Sequence, residues 1–536
     1  MAQATLAQDY ASLVTYRDPY LQAARDNSAL TIPSLVPPED NGVRKTRKTL
    51  RQPDDSTGSR GVNNLASKLL ISVLPANAPV FRLIINDLTV KKEMTEQIGT
   101  AGTSEVQRAL GQVERVGMQE IDATGVRGPA YVMIQHLLVA GNYAMNVDHK
   151  TGQVRGYPLQ SFVVSRDRMG NLMRGIIEEV IAFGALTPDL QEAVKQRRME
   201  IGGGTETSKD DLEAECRVYT CVKRTTFNRF KVWQEVEGVV VDGSEGSYGE
   251  DTCPYMFVRL IPVDGEDYGR AFVSDLYGDL FNANELRRAI VSYSRTAAKV
   301  IYLVKPNSTT KPKKLTDAKS GDFVTGNPDD VVALTLEKTQ DFNVAQAVYQ
   351  DIKRALELSF LLNSTVQRQA ERVTAEEVRA VIEELNTGLG GVQSVIATEW
   401  QLPFVKLTLK RLERKKLFKL PPGVVSPTIV TGVAALGRSQ DLQNLVQALN
   451  ALGLLNAVPP ELRGRIKAED FMNRVFAAAG VDPDGLFMTS EEYEAEQQKA
   501  MMMQMMQQAG PGAAQQVTKG VMDQQTEQVR QEAPAA

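Results

Sequence analysis

The chain has 536 residues, 42% hydrophobic and 24% charged, with 61 Lys and Arg against 66 Asp and Glu for a formal charge of −5. That composition supplies several apolar cores and excludes wholesale disorder. It also excludes a uniformly positive surface, so any contact with nucleic acid must be local or made by surrounding it.

Residues 1–29 read as a polar helix, followed by the proline-punctuated stretch Thr31-Ile-Pro-Ser-Leu-Val-Pro-Pro38. A charged loop at 39–59 gathers Arg44, Lys45, Arg47, Lys48 and Arg51 between Glu39, Asp40, Asp54 and Asp55. Leu65, Leu69, Leu70 and Val73 fall at helical spacing, and Pro75 closes that helix. Residues 80–86 read as a strand, and 103–122 and 129–140 as helices. From 141 to 262 the period moves toward two, with β-like runs at 143–147, 153–164, 172–183, 215–222, 227–236 and 255–261. A helical insert and polar linker at 187–213 interrupt the set.

Residues 268–300 carry the stripe Phe272, Leu276, Leu280, Ile290, Val291 and Ala298. Read as one helix, they would span roughly 50 Å. Pro306, Pro312, Gly321, Gly326 and Pro328 break the pattern before a second helix at 341–363. The expectation is a helical hairpin carrying a compact mixed insert at 301–338. After a polar break at 364–373, Thr374 and Glu377 form a capping box for a third helix. Its stripe is Val378, Val381, Ile382 and Leu385; glycines at 388, 390 and 391 loosen it, Pro403 kinks it, and it ends near 417. A smaller helical domain at 421–487 is expected to hold helices at 439–452 and 461–479. A final helix from Thr489 carries Met501, Met502, Met503, Met505 and Met506, and a Gly/Ala/Gln/Pro-rich tail from 509 reads as disordered.

Catalytic signatures are missing. There is no G-x-x-x-x-G-K-[ST] phosphate loop, no G-x-S-x-G, no H-E-x-x-H and no EF-hand loop, and Glu337-Lys338 lacks the acid-x-Lys spacing of a metal-dependent nuclease. Three cysteines without a Cys-x-x-Cys pair argue for reduced, buried thiols, and two histidines, His136 and His149, are too few for a His-based metal site. His136 sits in an apolar run and reads as a core histidine. The acids Asp264, Glu266, Asp267, Asp275 and Asp279 read as structural, since Asp275 and Asp279 open a long helix where acids complement the dipole. No apolar run reaches the ~18 residues that span a bilayer. Expected, then, are no catalytic residues, no cofactor, no metal and no membrane.

Nine stretches in order give the chain a resemblance. They are Thr31-Ile-Pro-Ser-Leu; Arg60-Gly-Val-Asn-Asn-Leu-Ala-Ser-Lys-Leu69; Val139-Ala-Gly-Asn142; Ile181-Ala-Phe-Gly-Ala-Leu186; Asp264-Gly-Glu with Tyr268-Gly-Arg270; Gly321-Asp-Phe-Val-Thr-Gly326; Glu371-Arg-Val-Thr-Ala-Glu-Glu377; Leu389-Gly-Gly-Val392; and Gly437-Arg-Ser-Gln-Asp-Leu442. The chain resembles the portal, or head-to-tail connector, proteins of short-tailed bacteriophages (podoviruses, autographivirus-like). The resemblance runs nearly the whole length and is loose only after about 490.

It implies an α+β, mainly helical, multi-domain portal fold assembling into a ring of twelve. By resemblance, 1–267 and the long helix at 374–425 form the wing, helices 268–300 and 339–363 the stem, and 301–338 a small α/β clip. Residues 364–373 form a tunnel loop, 426–488 a helical crown, 489–508 a C-terminal barrel helix and 509–536 a disordered tail. The implied role is a conduit at one capsid vertex for DNA packaging and ejection. Its implied partners are further copies of itself, double-stranded DNA, the terminase large subunit, major capsid and scaffolding proteins, tail adaptors, and internal core proteins. It would be made in the host bacterial cytoplasm and reside in the virion. Candidate DNA-facing residues are Gln367, Arg368, Gln369 and Arg372 in the tunnel loop. Lys305, Lys311, Lys313, Lys314 and Lys319 in the clip would meet DNA, motor or tail. Alternatives of other classes are a structural tail adaptor without a packaging role and, disfavoured by the missing phosphate loop, a packaging motor or nuclease subunit.

Overall fold

In a computed structural model the described residues are 5–38, 50–75, 79–85, 106, 108–200, 212–226, 228–298, 301–308, 310–334, 339–362, 391–418 and 425–429. The chain divides into two units. One comprises 1–87 with 110–437; the other, 88–109 with 438–536, lies almost wholly outside the described residues. The helices expected at 439–452, 461–479 and 489–508 therefore lie outside them, as does the capping box at Thr374.

Helix α1 (Leu6–Leu30) begins where the Leu6 amide donates to Glu235 Oε1 at 3.0 Å. It runs along a six-stranded antiparallel sheet. That sheet contains β4 (Phe162–Arg166), β5 (Leu172–Ala182), β6 (Glu215–Thr226), β7 (Arg229–Val236) and β8 (Val239–Val240), with β9 (Gly246–Gly249) also on β7. Alternation sorts its side chains. Val163, Ile176, Tyr219 and Cys221 meet Leu6 and Tyr10 of α1, while Phe162, Val164, Ile177 and Val222 turn into a second core. The run expected at 153–164 is two strands, β3 (Val154–Pro158) and β4, split by a 3-10 turn at Leu159–Ser161. Pro158, with no N–H to continue the ladder, stands at that split. The insert holds helix α5 (Pro188–Glu200).

The largest core is helical. It joins α2 (Thr57–Val73), α3 (108–123) and α4 (Arg127–Ala140) to a sheet of β10 (Tyr255–Arg259), β2 (Asn142–Val147) and β3. Strand β1 (Phe81–Ile85) pairs with β13 (Val425–Ile429), so the start of the stretch expected to be helical, 421–487, is instead a strand of the first unit, fixed there by pairing with a partner far away in sequence. His136 is buried, stacks on Tyr143 at 5.0 Å, and burial pulls its pKa down to about 4. All three cysteines are free and buried.

The hairpin differs from its expected form. Residues 268–271 are not helical; α6 (Phe272–Asp275) is one turn, and α7 (Tyr277–Ala297) follows a break at Leu276. At 21 residues α7 is about 31 Å long, not 50 Å. The cause lies in what precedes it. Asn142 holds Gly269 at both backbone groups, by Nδ2–H to the carbonyl and by Oδ1 from the amide, each at 2.7 Å. Arg270 bridges Ile261, and the Tyr268 hydroxyl accepts from the Val164 amide. These contacts keep the backbone extended until Ala271. The return helix α9 spans Thr339–Ser359.

The third helix is described from Val392. It comprises α10 (Val392–Ile396), a π-helical turn at Ala397–Gln401, and α11 (Leu402–Arg414). Pro403 lacks the amide that would bond the Glu399 carbonyl, and its ring would crowd that carbonyl in a regular helix; the widened turn relieves both. The distortion is locked by Glu399, which takes the Arg259 guanidinium at 2.9 and 2.6 Å and the Arg259 amide at 2.6 Å. Gln401 donates to the Val73 carbonyl.

Candidate functional site

The insert between α7 and α9 is a small head. Strands β11 (Ile301–Val304) and β12 (Val331–Leu334) pair antiparallel, and α8 (Pro312–Asp317) lies between them. Its pin is Thr310, buried at 4% exposure, whose hydroxyl donates to Asp330 Oδ2 and accepts from the Asn327 amide. Gly326 leaves room for this: a Cβ there would sit 2.6 Å from Thr310 Oγ1. The Lys305 amide closes on the Asp330 carbonyl. Lys305, Lys311, Lys313, Lys314 and Lys319 are all exposed, and among the described residues none of their ammonium groups forms an ion pair. Exposed with them are Tyr302, Leu303, Leu315, Val332 and Phe323. The head therefore presents these lysines beside three exposed aspartates, Asp317, Asp322 and Asp329, interleaved with apolar and aromatic side chains. Gln367, Arg368, Gln369 and Arg372 lie outside the described residues.

The base of the hairpin holds contacts that sequence reasoning did not foresee. Asn64 Nδ2 donates to the carbonyls of Phe360 and Leu361 at 3.1 and 3.0 Å, and the Lys68 ammonium to Leu361 O at 2.9 Å. These are the bare acceptors that end a helix, and a cation there also suits the dipole. Leu361, at φ 52°, turns the chain out of α9. The Phe360 ring is fully buried over Gly61, where a Cβ would lie 2.4 Å from its Cγ. Gly61, Asn64 and Lys68 fall on one helical face; that spacing of small and polar residues within an apolar helix was the available signal.

On the other side, Asn284 Oδ1 in α7 accepts from the amides of Asp54 and Asp55. Arg288 pairs with Asp54 Oδ2 at 2.8 Å, which also takes Arg51. So Arg51, read as part of a basic loop, belongs to a latch; Arg44, Lys45, Arg47 and Lys48 lie outside the described residues.

Of the five acids, Glu266 and Asp267 are held in the structure, and Asp264, Asp275 and Asp279 are exposed. Glu266 accepts from the Tyr20 hydroxyl and Arg270, and Asp267 from the Arg166 amide. Among the described residues no group of three or more His, Cys, Asp and Glu could hold a metal ion, and no helix is long and apolar enough to cross a membrane.

Among the described residues, the hairpin's outer faces carry exposed apolar side chains. On α7, Tyr277 and Phe281 are exposed and stack on each other at 6.2 Å. On α9, Val344, Val348 and Leu358 form an exposed stripe. At about 100° per residue, the α7 stripe lies roughly half a turn from the Leu286, Ile290 and Tyr293 face that packs inward. The α9 stripe lies roughly a third of a turn from Tyr349 and Leu356. The hairpin thus exposes apolar side chains on both flanks, below a head that carries exposed lysines and aspartates.

Comparison with known proteins gives the family. The family described as bacteriophage head to tail connecting protein matches residues 3–487. The portal protein of Escherichia phage T7 is 37% identical over 96% of this chain and 94% of its own length. That of Enterobacteria phage T3 is 37% identical over 94% and 90%, and that of Pseudomonas phage phiKMV 30% over 90% and 92%. A solved chain from the neck of a gene transfer agent particle covers 80% of this chain at 10% identity, with a TM-score of 0.35, a level at which no detail transfers. The chain belongs to the bacteriophage head to tail connecting protein family, and its function is that of a portal, the connector between phage head and tail.

Proposed function

We propose that the chain works as a closed ring, twelve copies at one capsid vertex, through which DNA enters during packaging and leaves during ejection. The observation that carries this is the hairpin with apolar residues exposed on both flanks. Two different faces meeting head-to-tail close into a ring when the rotation fits. In this reading α6, α7 and α9 form the stem, 301–338 the clip, and 1–267 with 374–425 the wing. The remainder forms the tunnel loop at 364–373, the crown in the stretch up to 488 that follows strand β13, and the barrel helix and tail beyond.

Charge supports a conduit rather than a grip. Twelve copies of −5 sum to about −60. Every phosphate neutralised strengthens binding by counterion release, so a tunnel rich in cations would stall moving DNA. The exposed clip lysines form a local rim for DNA phosphates or for acidic surfaces of the terminase large subunit and then of tail adaptors. Arg368 and Arg372, flanked by Gln367 and Gln369, are the proposed tunnel-facing contacts. Capsid, scaffolding and internal core proteins would meet the wing and crown, during synthesis in the bacterial cytoplasm and then in the virion. No catalytic role is proposed, and the motor's ATP hydrolysis belongs to a separate protein.

Electron micrographs of the purified chain are expected to show open rings with a central hole, in preparations that hydrolyse no ATP. Monomers or solid particles would overturn the ring, and an ATPase that tracks the chain through mutation would overturn the division of labour.

A further inference from the structure

If the hairpins stand in a ring, as proposed, one flank of each copy must meet the other flank of the next. The hairpin supplies a height scale. Phe272 meets Phe360 at 5.9 Å near the base, the Arg287 guanidinium lies 5.9 Å from the Tyr349 ring, and Tyr293 stacks on Phe342 at 5.0 Å near the head. Rotation about a ring axis carries a residue to the same height on the neighbouring copy, displaced only by the tilt of the hairpin.

Both flanks carry charges as well as apolar groups. Above Phe281, which is 46% exposed, α7 presents Glu285 and then Arg288, at 44% and 45%. Above Leu358, 69% exposed, α9 presents Arg354 and then Asp351, both at 77%. Among the described residues, Arg288 pairs with Glu285 on its own flank and with Asp54 of the segment before α2, and Arg354 pairs with Asp351 at 3.7 Å. In the same upward direction, one flank reads apolar, acid, base and the other apolar, base, acid.

With no displacement, Glu285 of one copy would stand level with Asp351 of the next, acid against acid. A displacement of about one helical turn, ~6 Å for four residues, replaces that clash with three matches at once. We infer that the α7 flank of one copy meets the α9 flank of the next in this single register, Phe281 on Leu358, Glu285 facing Arg354 and Arg288 facing Asp351. Apolar contact supplies the burial, and alternating charge selects the register because a slip pairs like charges.

The test uses the full chain. The three native cysteines are buried, so the double variant Phe281→Cys, Leu358→Cys reports on the new pair alone. The two sites lie on different flanks of one hairpin, too far apart to join within a chain. Oxidised, the double variant is expected to run as a ladder of multiples on a non-reducing denaturing gel, and either single variant as a monomer. Glu285→Arg and Arg354→Glu are each expected to lower the ring fraction at least tenfold at low salt, and the two combined to restore it, with unchanged circular dichroism throughout. Wild-type rings with no ladder, and with no rescue in the combined charge variant, would overturn this register while leaving the ring standing. A wild-type chain that forms no ring would overturn the ring and the register together.

Discussion

His136 is buried, stacked and neutral, and its buried Nδ1 has no hydrogen-bond partner among the described residues. Burial sets its pKa at about 4 against an ordinary 6.5. Because the folded value is the lower one, the unfolded chain binds the proton more tightly between those two values. The stabilisation is therefore complete above about pH 6.5 and is lost as pH falls toward 4. At pH 5 the loss from this one group is about 2 kcal/mol. His136→Phe keeps the stack and removes the titration. The measurement is the shift in urea midpoint between pH 7 and pH 5, which should be smaller in the variant; equal shifts would place the acid sensitivity elsewhere. A histidine in an apolar run was readable as a core residue from its neighbours alone. Asn142 was not readable in the same way: its role depends on Gly269, 127 positions away, and pairing of that range leaves no local period.

At the scale of elements, hydrophobic period located most strands and helices because each has a face on a core. It failed where tertiary contacts override propensity. The stripe from Phe272 to Ala298 suggested one helix, yet the clamps on Gly269 and Arg270 delay its start and break it at Leu276. Pro403 was visible as a kink, but the π-helical form it takes is held by Arg259 and Val73, distant in sequence. The end of α9 is another tertiary product. Lys68 and Asn64 satisfy carbonyls that the helix itself leaves bare. Lys68→Met keeps the apolar stem and removes a charged hydrogen bond worth about 2 kcal/mol. Hydrogen exchange in the last turn of α9 should then quicken more than tenfold, with the middle of α7 unchanged. Uniform acceleration across both helices would mean that Lys68 supports the whole core rather than this terminus.

For the whole molecule, the question is which cations meet DNA. The clip lysines are exposed, free of ion pairs among the described residues, and carried by a head pinned through Thr310 and Asp330. Their replacement should leave the fold intact. Lysine is a mobile point charge suited to phosphate or to an acidic protein surface, without base readout. Arg368 and Arg372 sit in a polar break that the resemblance places at the tunnel. If the clip serves docking and the arginines serve the tunnel, the two sets separate by step. Changing Lys305, Lys311, Lys313, Lys314 and Lys319 to Ala should leave rings but lower the salt-sensitive binding of the packaging motor, so that packaging starts poorly. Changing Arg368 and Arg372 to Ala should leave rings and the start of packaging intact, and impair completion or retention of the genome. Binding of DNA to isolated rings should weaken with salt in proportion to the phosphates contacted, and that slope should fall in the arginine variant. An arginine variant that packages and retains a full genome, beside a lysine variant that loses DNA, would move the DNA contact from the tunnel to the clip.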